Sequence, residues 1–487
     1  MEKILLINPP EQRPEWPTMP RAVEPMGLLY VAGAFRDSGV QVDLLDLQLG
    51  VGDRENIYAQ VSGGEYPAAG IALSSQACLW NALAIAQDLK NLYPRIVLFT
   101  GGVFASLNWE WILETAPAFD FVVVGEGEPF VFAFVQDPRN WKGISGVRHR
   151  GQTAPPPLLP ARLLTTPRVL PDRSLTAEVI RQGEAPSVVA TRGCGGACTF
   201  CCVSHYYGSS WQSRAVEDIF REVESLVALF GARQIHLVDD NLFGHERGAK
   251  AWIRSFVQAM GRFNPTLRFK TTCRLDDLDE DLIPDIKKAG FSLLKIGVET
   301  FSKAAQKKYK KGILREKAAR KLDALREAGI GISLGFIMFD PYCSLADLRE
   351  NLDFLLDHPE CWSRHLLRSR LVAYRNTPIE TSLEKDGLLV SRGIMGSQWR
   401  FGDSEVAAVY DRFEDFLRLH MLPLEWDIYR FQQSRRKEGL SPAVPRTVES
   451  QLKEAWLELF QAALENRAPD LKPNNFAQIP SGIILSS

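Results

Sequence analysis

Histidine is scarce in this chain: there are seven in 487 residues, and the first is His149. Whatever metal chemistry the N-terminal region supports must therefore proceed without an imidazole, the commonest nitrogen ligand. Long apolar runs are lacking too. No stretch reaches the roughly 18 residues of a membrane span. The opening Met1-Glu-Lys-Ile-Leu-Leu-Ile-Asn-Pro-Pro is too short for a signal peptide. A cytoplasmic protein with no membrane partner is expected. No sign of charge dominates: 57 Lys and Arg against 59 Asp and Glu leave a formal net charge of -2. That gives no bulk attraction for nucleic acid, and none is expected as a partner. There is no internal repeat and no G-x-G-x-x-G after the first apolar run, where Asn8-Pro9-Pro10 stands, so a nicotinamide-type Rossmann domain is disfavoured. What is present is an ordinary globular composition, 45% hydrophobic and 24% charged. At roughly 150 residues per domain the length suggests about three domains.

The chemistry is concentrated in cysteine. Three of the eight cysteines lie in Cys194-Gly-Gly-Ala-Cys198-Thr-Phe200-Cys201, with Cys202 adjacent, after the apolar run 187–191. Closely spaced thiolates are soft ligands that select iron-sulfur clusters, zinc or copper(I). A closed zinc site is usually tetrahedral with paired cysteines. No second pair exists here, since Cys273, Cys343 and Cys361 are single. Zinc with Cys202 or a distant cysteine as fourth ligand stays as the alternative. Cys202 itself would point the other way along an extended loop. Three thiolates on a 4Fe-4S cluster would leave one iron open for a substrate or cofactor.

The C-x3-C-x2-C spacing, with an aromatic residue just before the last cysteine, resembles the signature of the radical S-adenosylmethionine (SAM) family. The resemblance implies that Cys194, Cys198 and Cys201 hold a 4Fe-4S cluster whose open iron chelates SAM, with Phe200 beside the cofactor.

Upstream, apolar runs at 3–7, 41–47, 70–74, 95–99 and 121–124 alternate with helical patterns near 27–36, 57–61, 79–92 and 106–116. Such alternation predicts a Rossmann-like parallel sheet covered on both faces, with ligands at the carboxyl ends of its strands. Gly101-Gly102 and Gly125-Glu126-Gly127 fall at those ends, where glycine permits close approach of a ligand or simply a tight turn. The segment resembles the cobalamin-binding domain found ahead of many radical SAM cores. The likeness is carried by Asn8-Pro9-Pro10, Pro25-Met-Gly27-Leu, Gly70-Ile-Ala-Leu-Ser74-Ser75, Gly101-Gly102 and Gly125-Glu126-Gly127-Glu128. The interval from Ser75 to Thr100 matches the spacing between the S-x-L turn and the Gly-Gly pair of cobalamin domains, although Ala72-Leu73-Ser74 departs from that turn. The histidine of D-x-H-x-x-G is absent. The resemblance thus implies cobalamin with no histidine from this domain below the cobalt. The loop Ser74-Ser75-Gln76 would lie beneath the corrin, with Gln76 as its nearest side chain.

Residues 141–185 are proline-rich and aperiodic and read as a linker. A second βα series follows, with strand candidates at 187–191, 234–238, 267–272, 291–296, 331–338 and 365–373 and helices at 216–230, 249–260, 280–288, 316–327 and 345–356. Six strands suit a partial (β/α)6 barrel with its chemistry at the carboxyl ends of the strands. Polar clusters stand there: Asp239-Asp-Asn241, Cys273-Arg274, Gly297-Val-Glu299, Asp340-Pro-Tyr342 and Tyr374-Arg-Asn-Thr-Pro. Taken singly, each is also ordinary turn or capping chemistry, and Arg274 could simply pair with Asp276 or Asp277.

By resemblance, Glu299 lies near the SAM ribose, Asp239 and Arg274 contact its methionine or ribose portion, and 335–341 runs along the adenine. Tyr342 and Tyr374 are expected to face the substrate. Beyond 386, amphipathic runs at 405–419 and 448–463 predict a mainly helical region. Its core would come from Trp399, Phe401, Tyr410, Phe413, Phe416, Trp426, Tyr429 and Phe431.

The expected organisation is α/β: a cobalamin-binding domain over 1–140, a linker over 141–185, a radical SAM core over 186–385 and a helical region over 386–487. The resemblance implies a methyltransferase acting on an unactivated carbon of a small-molecule or peptide substrate, with an external electron donor such as flavodoxin or ferredoxin. Cyclisation or ring rearrangement with the same cofactors, and a non-catalytic cobalamin module with a zinc loop, are the alternatives.

Overall fold

The computed structural model describes residues 1–12, 23–63, 66–152, 169–244, 248–438 and 443–471. They form two compact units. Of the described residues, those of 1–12, 23–152, 169–196 and 202–232 belong to the first, and those of 197–201 and 233–471 to the second.

The first unit begins with Lys3–Asn8 (β1), of sequence KILLIN and buried along almost its whole length. Continuous burial, in place of alternation, marks a strand covered on both faces. Then come Met26–Asp37 (α1), Gln41–Asp46 (β2), Arg54–Gly63 (α2), Ala68–Ala72 (β3), Leu79–Leu92 (α3), Val97–Gly101 (β4), Val103–Leu107 (α4), Trp109–Thr115 (α5), Phe121–Val123 (β5), Gly127–Gln136 (α6) and Val147–His149 (β6). The sheet order is β2-β1-β3-β4-β5-β6. The first five strands are parallel and β6 pairs antiparallel with β5. Strand order reverses between β1 and β3, and ligands of open α/β sheets bind in the crevice at such a point.

The edge strand β6 lies inside the stretch expected to be linker. Trp141 explains it, because its ring stacks on Phe121 at 4.6 Å and extends a cluster of Phe99, Phe121, Phe130 and Phe134. Thr176–Arg181 (α7) is a further element of that stretch, whereas 153–168, with its triple proline, lies outside the described residues. The unit continues with Ser187–Val188 (β7), the two strands Thr191–Gly193 (β8) and Trp211–Ser213 (β9) paired antiparallel, Cys202–Tyr207 (α8) between them in the chain, and Val216–Phe230 (α9).

The second unit carries Gln234–Leu237 (β10), Ala249–Met260 (α10), Arg268–Arg274 (β11), Ile283–Lys288 (α11), Phe291–Glu299 (β12), Lys303–Tyr309 (α12), Arg315–Glu327 (α13), Gly331–Phe336 (β13) and Leu345–Asp357 (α14). Strands β10 to β13 are consecutive neighbours and all parallel, as short βα repeats require. The sixth strand expected over 365–373 is not formed. Arg364–Arg368 is a 3-10 turn, and only an isolated bridge joins Arg370 to Phe339. The run reads as a strand by hydrophobicity, but Arg364 turns inward to Glu425 at 2.8 Å and to Glu449 at 2.5 Å. Burying that guanidinium against its carboxylates decides the backbone path.

After Pro378–Lys385 (α15) and the antiparallel pair Leu389–Ser391 (β14) and Gln398–Trp399 (β15) come three long helices: Ser404–His420 (α16), Leu422–Lys437 (α17) and Arg446–Leu464 (α18). The first and third match the amphipathic runs, while the middle one was not foreseen. Trp399 and Phe413 are core, whereas Phe401 and Tyr410 flank the Arg370 guanidinium. Phe416, Trp426, Tyr429 and Phe431 are only half-buried. Among the described residues, no helix is long and apolar enough to cross a membrane.

Candidate cofactor sites

At the β1/β3 crevice most of the expected residues are placed at strand ends, with distinct tasks. Asn8 ends β1 and donates from Nδ2 to Asp46 Oδ1 at 3.0 Å. The same oxygen accepts from the Gln48 and Leu49 backbone N–H groups. Burial pushes the Asp46 carboxyl up to about 6. Asn8 is thus a buried tie between β1 and β2. Pro9 is buried, and the Pro10 carbonyl accepts from Asn81 at 2.9 Å. Gly27 is exposed in the first turn of α1, with nothing within 4 Å of where a Cβ would stand.

After β3, Ser74 is exposed, Ser75 Oγ lies 3.7 Å from Cys78 Sγ, and the Gln76 Oε1 is buried with no hydrogen-bond partner among the described residues. A buried acceptor without a donor is costly, so this oxygen is a place for a ligand donor.

Gly102 has φ +111, and a Cβ there would stand 2.8 Å from the Leu73 carbonyl. The chain itself therefore demands glycine. A bulky residue at Gly102 would disturb the turn with or without a ligand. Ser106, which the sequence reading missed, joins the two glycine turns. Its hydroxyl donates to the Gly102 carbonyl at 2.8 Å and accepts from the Gly125 N–H at 3.1 Å. The only signal was its position four residues after Gly102, on the first turn of α4.

Glu126 is held by Arg192 at 2.8 Å, as Glu128 is at 2.6 Å, and the guanidinium also lies over the Tyr30 ring. Burial raises the Glu126 carboxyl against the pull of Arg192. Glu126 is therefore committed to an ion pair, and Gly127 opens α6 behind it.

The cysteines of the loop form no disulfide, with Cys194 and Cys198 buried and Cys201 and Cys202 partly exposed. The Gly196 N–H points to Cys194 Sγ at 3.4 Å. Arg274 Nη1 donates to Cys198 Sγ at 3.0 Å. From Ala197 to Cys201 the loop is clamped by α12 and the start of α15. Thr199 N–H donates to the Tyr309 carbonyl at 3.2 Å, its hydroxyl donates to the Lys308 carbonyl at 2.7 Å, and its own carbonyl accepts from Ile379 at 3.1 Å. Phe200 meets the Tyr309 ring edge-on at 5.0 Å. Cys202 starts α8. Among the described residues, no three His, Cys, Asp or Glu side chains are arranged to hold one metal ion. Thiols on one loop, two of them with N–H donors on their sulfurs, fit the soft donor set that an iron-sulfur cluster takes.

The strand ends of the second unit divide similarly. Asp239 is buried. Asn241 accepts from the Arg274 backbone N–H at 3.0 Å and donates to Asp277 Oδ2 at 2.8 Å. Arg274 makes the ion pairs that the sequence allowed, with Asp277 at 3.3 Å and Asp276 at 3.8 Å, and also touches Cys198. Glu299 ends β12 at a register shift, with φ +74. That left-handed backbone is uncommon for a non-glycine residue and points to function. Its carboxylate pairs with Lys311 at 3.2 Å, and Lys311 also donates to the Gly297 carbonyl at 3.1 Å. A Cβ at Gly297 would stand 2.5 Å from Glu299 Oε1, so a side chain there would shift this carboxylate.

Tyr342 donates its hydroxyl to Asp386 at 3.0 Å beneath Lys308. Tyr374 follows the strand that is not formed, and its carbonyl accepts from the Thr377 hydroxyl. The structure holds the two tyrosines by separate partners. Asp340, by contrast, is fully buried with Oδ2 unpartnered among the described residues, as is the Tyr309 hydroxyl. Burial pushes the Asp340 carboxyl up to about 7. Lys311 and Tyr309 were not foreseen, although Lys310-Lys311-Gly312 after the Glu299 strand was a visible signal.

Residues 188–355 match the Radical SAM superfamily and residues 18–134 the B12 binding domain. The chain therefore carries a radical SAM domain behind a B12 binding domain, and these two domains imply a 4Fe-4S cluster, SAM and cobalamin. It is similar to the anaerobic magnesium-protoporphyrin IX monomethyl ester cyclase of Synechocystis, at 25% identity over 323 residues, covering 64% of this chain and 63% of the relative. The hopanoid C-3 methylase of Methylococcus capsulatus is 26% identical over 335 residues, covering 65% of this chain and 61% of the relative. The chain thus spans less than two thirds of the length of these two relatives. Its fold is that of the cobalamin-dependent SAM radical enzyme OxsB, solved with aqua-cobalamin and SAM bound, with a TM-score of 0.77 at 17% identity over 97% of this chain and 74% of that one.

Proposed function

We propose that this enzyme is a C-methyltransferase acting on an unactivated carbon of a small-molecule or peptide substrate. The observation that carries the reading is that one chain presents both donor sets. Its thiols at 194–201 have N–H donors already on two sulfurs, and the strand-end crevice at β1/β3 has the Gln76 oxygen buried and unpaired. When bound, the cluster and SAM supply a 5'-deoxyadenosyl radical that takes hydrogen from an unactivated carbon, and cobalamin supplies a methyl group by homolysis.

The protein's part is to hold and orient. Cys194, Cys198 and Cys201 are the cluster ligands, and α12 fixes the loop between the last two. Glu299, held by Lys311, receives the SAM ribose, with Asp239 on the same cofactor. The turns at 74–76, 101–102 and 125–127 receive cobalamin. The electron comes from an external donor such as flavodoxin or ferredoxin.

Turnover with methyl-deuterated SAM and candidate substrates, followed by mass spectrometry, tests this reading. One labelled methyl in the product, with 5'-deoxyadenosine and S-adenosylhomocysteine formed in equal amounts, is expected. Label without 5'-deoxyadenosine would mean polar methylation. An unlabelled rearranged product would establish the second reading, cyclisation with the same cofactors, which the likeness to the Synechocystis cyclase favours.

A further inference from the structure

Arg274 is the one expected SAM contact whose guanidinium the structure places on a cluster cysteine. Its Nη1 donates to Cys198 Sγ at 3.0 Å, and its side chain is 18% exposed. Three groups aim it. The Asn241 amide oxygen holds its backbone N–H at 3.0 Å, while Asp277 at 3.3 Å and Asp276 at 3.8 Å hold the guanidinium. Asn241 also donates to Asp277, so strand end, carboxylate and guanidinium form one braced network. Hydrogen bonds to the ligand sulfurs and local charge are among the levers by which a protein sets the potential of an iron-sulfur cluster.

We infer that Arg274 is a positioning residue that acts through Cys198 to raise the reduction potential of the cluster, and that Asp277 moderates it. This rests on the reading of Cys198 as a cluster ligand. An N–H donor withdraws electron density from the sulfur, and the guanidinium charge favours the more negative reduced cluster. Asp277 cancels part of the guanidinium charge, and in Asp277→Asn the aim is kept by Asn241 and Asp276 while that cancellation is lost, so the two residues oppose one another in sign. Nothing here requires Arg274 to touch SAM or substrate.

The test is an anaerobic redox titration of the reconstituted full chain, following the reduced cluster by electron paramagnetic resonance, with iron and sulfide content matched between variants. For Arg274→Gln the ratio of reduced to oxidised cluster at a fixed potential should fall roughly tenfold, about 59 mV for a one-electron couple. Arg274→Lys, which keeps the charge but loses the fork, should recover part of the shift. Asp277→Asn should move the ratio the opposite way. If Arg274→Gln does not hold four irons, Asp277→Asn decides the matter by its sign alone. An unchanged midpoint in Arg274→Gln, or a shift of the same sign in Asp277→Asn, would overturn the inference while leaving the enzyme assignment standing. Wild-type protein that binds no cluster would instead refute the ligand reading on which it rests.

Discussion

At the scale of single residues, the informative side chains are buried polar groups whose partners fall short. Asp340 is fully enclosed, and although its Oδ1 accepts from the Tyr342 N–H at 2.8 Å, its other oxygen is unpartnered among the described residues. Desolvation, the largest cause, and then the Asp347 charge outweigh the backbone donors and push the carboxyl up to about 7. The folded state therefore holds a proton that the unfolded state, near the ordinary carboxylate value of about 4, has released. Stability from this group is full below about pH 4 and is lost as pH rises to about 7. Asp340→Asn keeps the shape and removes the ionisation. In cofactor-free protein, denaturant unfolding at pH 5 and pH 8 should show a fall for the wild type that the variant lacks, on the order of 3 kcal/mol. Equal falls in both proteins would show that the carboxyl is ionised at little cost. Single residues were also where the sequence was hardest to read. Cys194, Cys198 and Cys201 stand out by spacing alone. Ser106, Tyr309 and Lys311 owe their positions to partners far away in the chain, and no local pattern announces such a partner.

At the scale of elements, hydrophobic runs and periodicity located the helices and buried strands because each must cover a core face of fixed period. Helix α9 over Val216–Phe230 and helix α3 over Leu79–Leu92 match their sequence patterns end to end. Failures occurred where a long-range contact overrode the local pattern. The segment 365–373 reads as a strand, yet the buried Arg364 is gripped by Glu425 and Glu449 from two helices of the C-terminal region. Neighbouring His365 is forced down to about 4, first by burial and then by Arg364, and lies edge-on to Trp456. Removing one partner of a buried pair leaves the other charge uncompensated, at about 3–5 kcal/mol. Glu425→Ala should therefore lower stability by about that much, read as a shift of the urea midpoint. Glu449→Ala, at a carboxylate that is 41% exposed, should cost less. Equal small losses in the two variants would mean that Arg364 is not anchored as described. The edge strand β6 shows the same lesson from the other side, since Trp141 and Phe121 hold a strand that three residues of sequence could not signal.

At the scale of the whole molecule, the scarcity of histidine becomes a statement about cobalt. The described residues of the first unit contain only His149 and His205. His149 belongs to β6, at the sheet edge opposite β2 and separated from the β1/β3 crevice by three strands, and its Nδ1 is taken by the Arg150 carbonyl at 2.9 Å. His205 lies in α8, which follows the cysteine loop. The groups that do stand at the crevice are amide and hydroxyl: Ser74, Ser75 and the Gln76 carboxamide, whose oxygen is an acceptor and whose nitrogen is no base. A cobalt bound there has no imidazole from the turns that would receive the corrin. Cobalamin reduced to cobalt(II) on the full chain should therefore give an electron paramagnetic resonance spectrum without the superhyperfine splitting of an axial nitrogen. His149→Ala and His205→Ala should leave that spectrum unchanged. A nitrogen-split spectrum that either substitution abolishes would place an imidazole under the cobalt. It would also mean that the crevice defined by Asn8, Gln76 and Gly102 is not where the corrin sits.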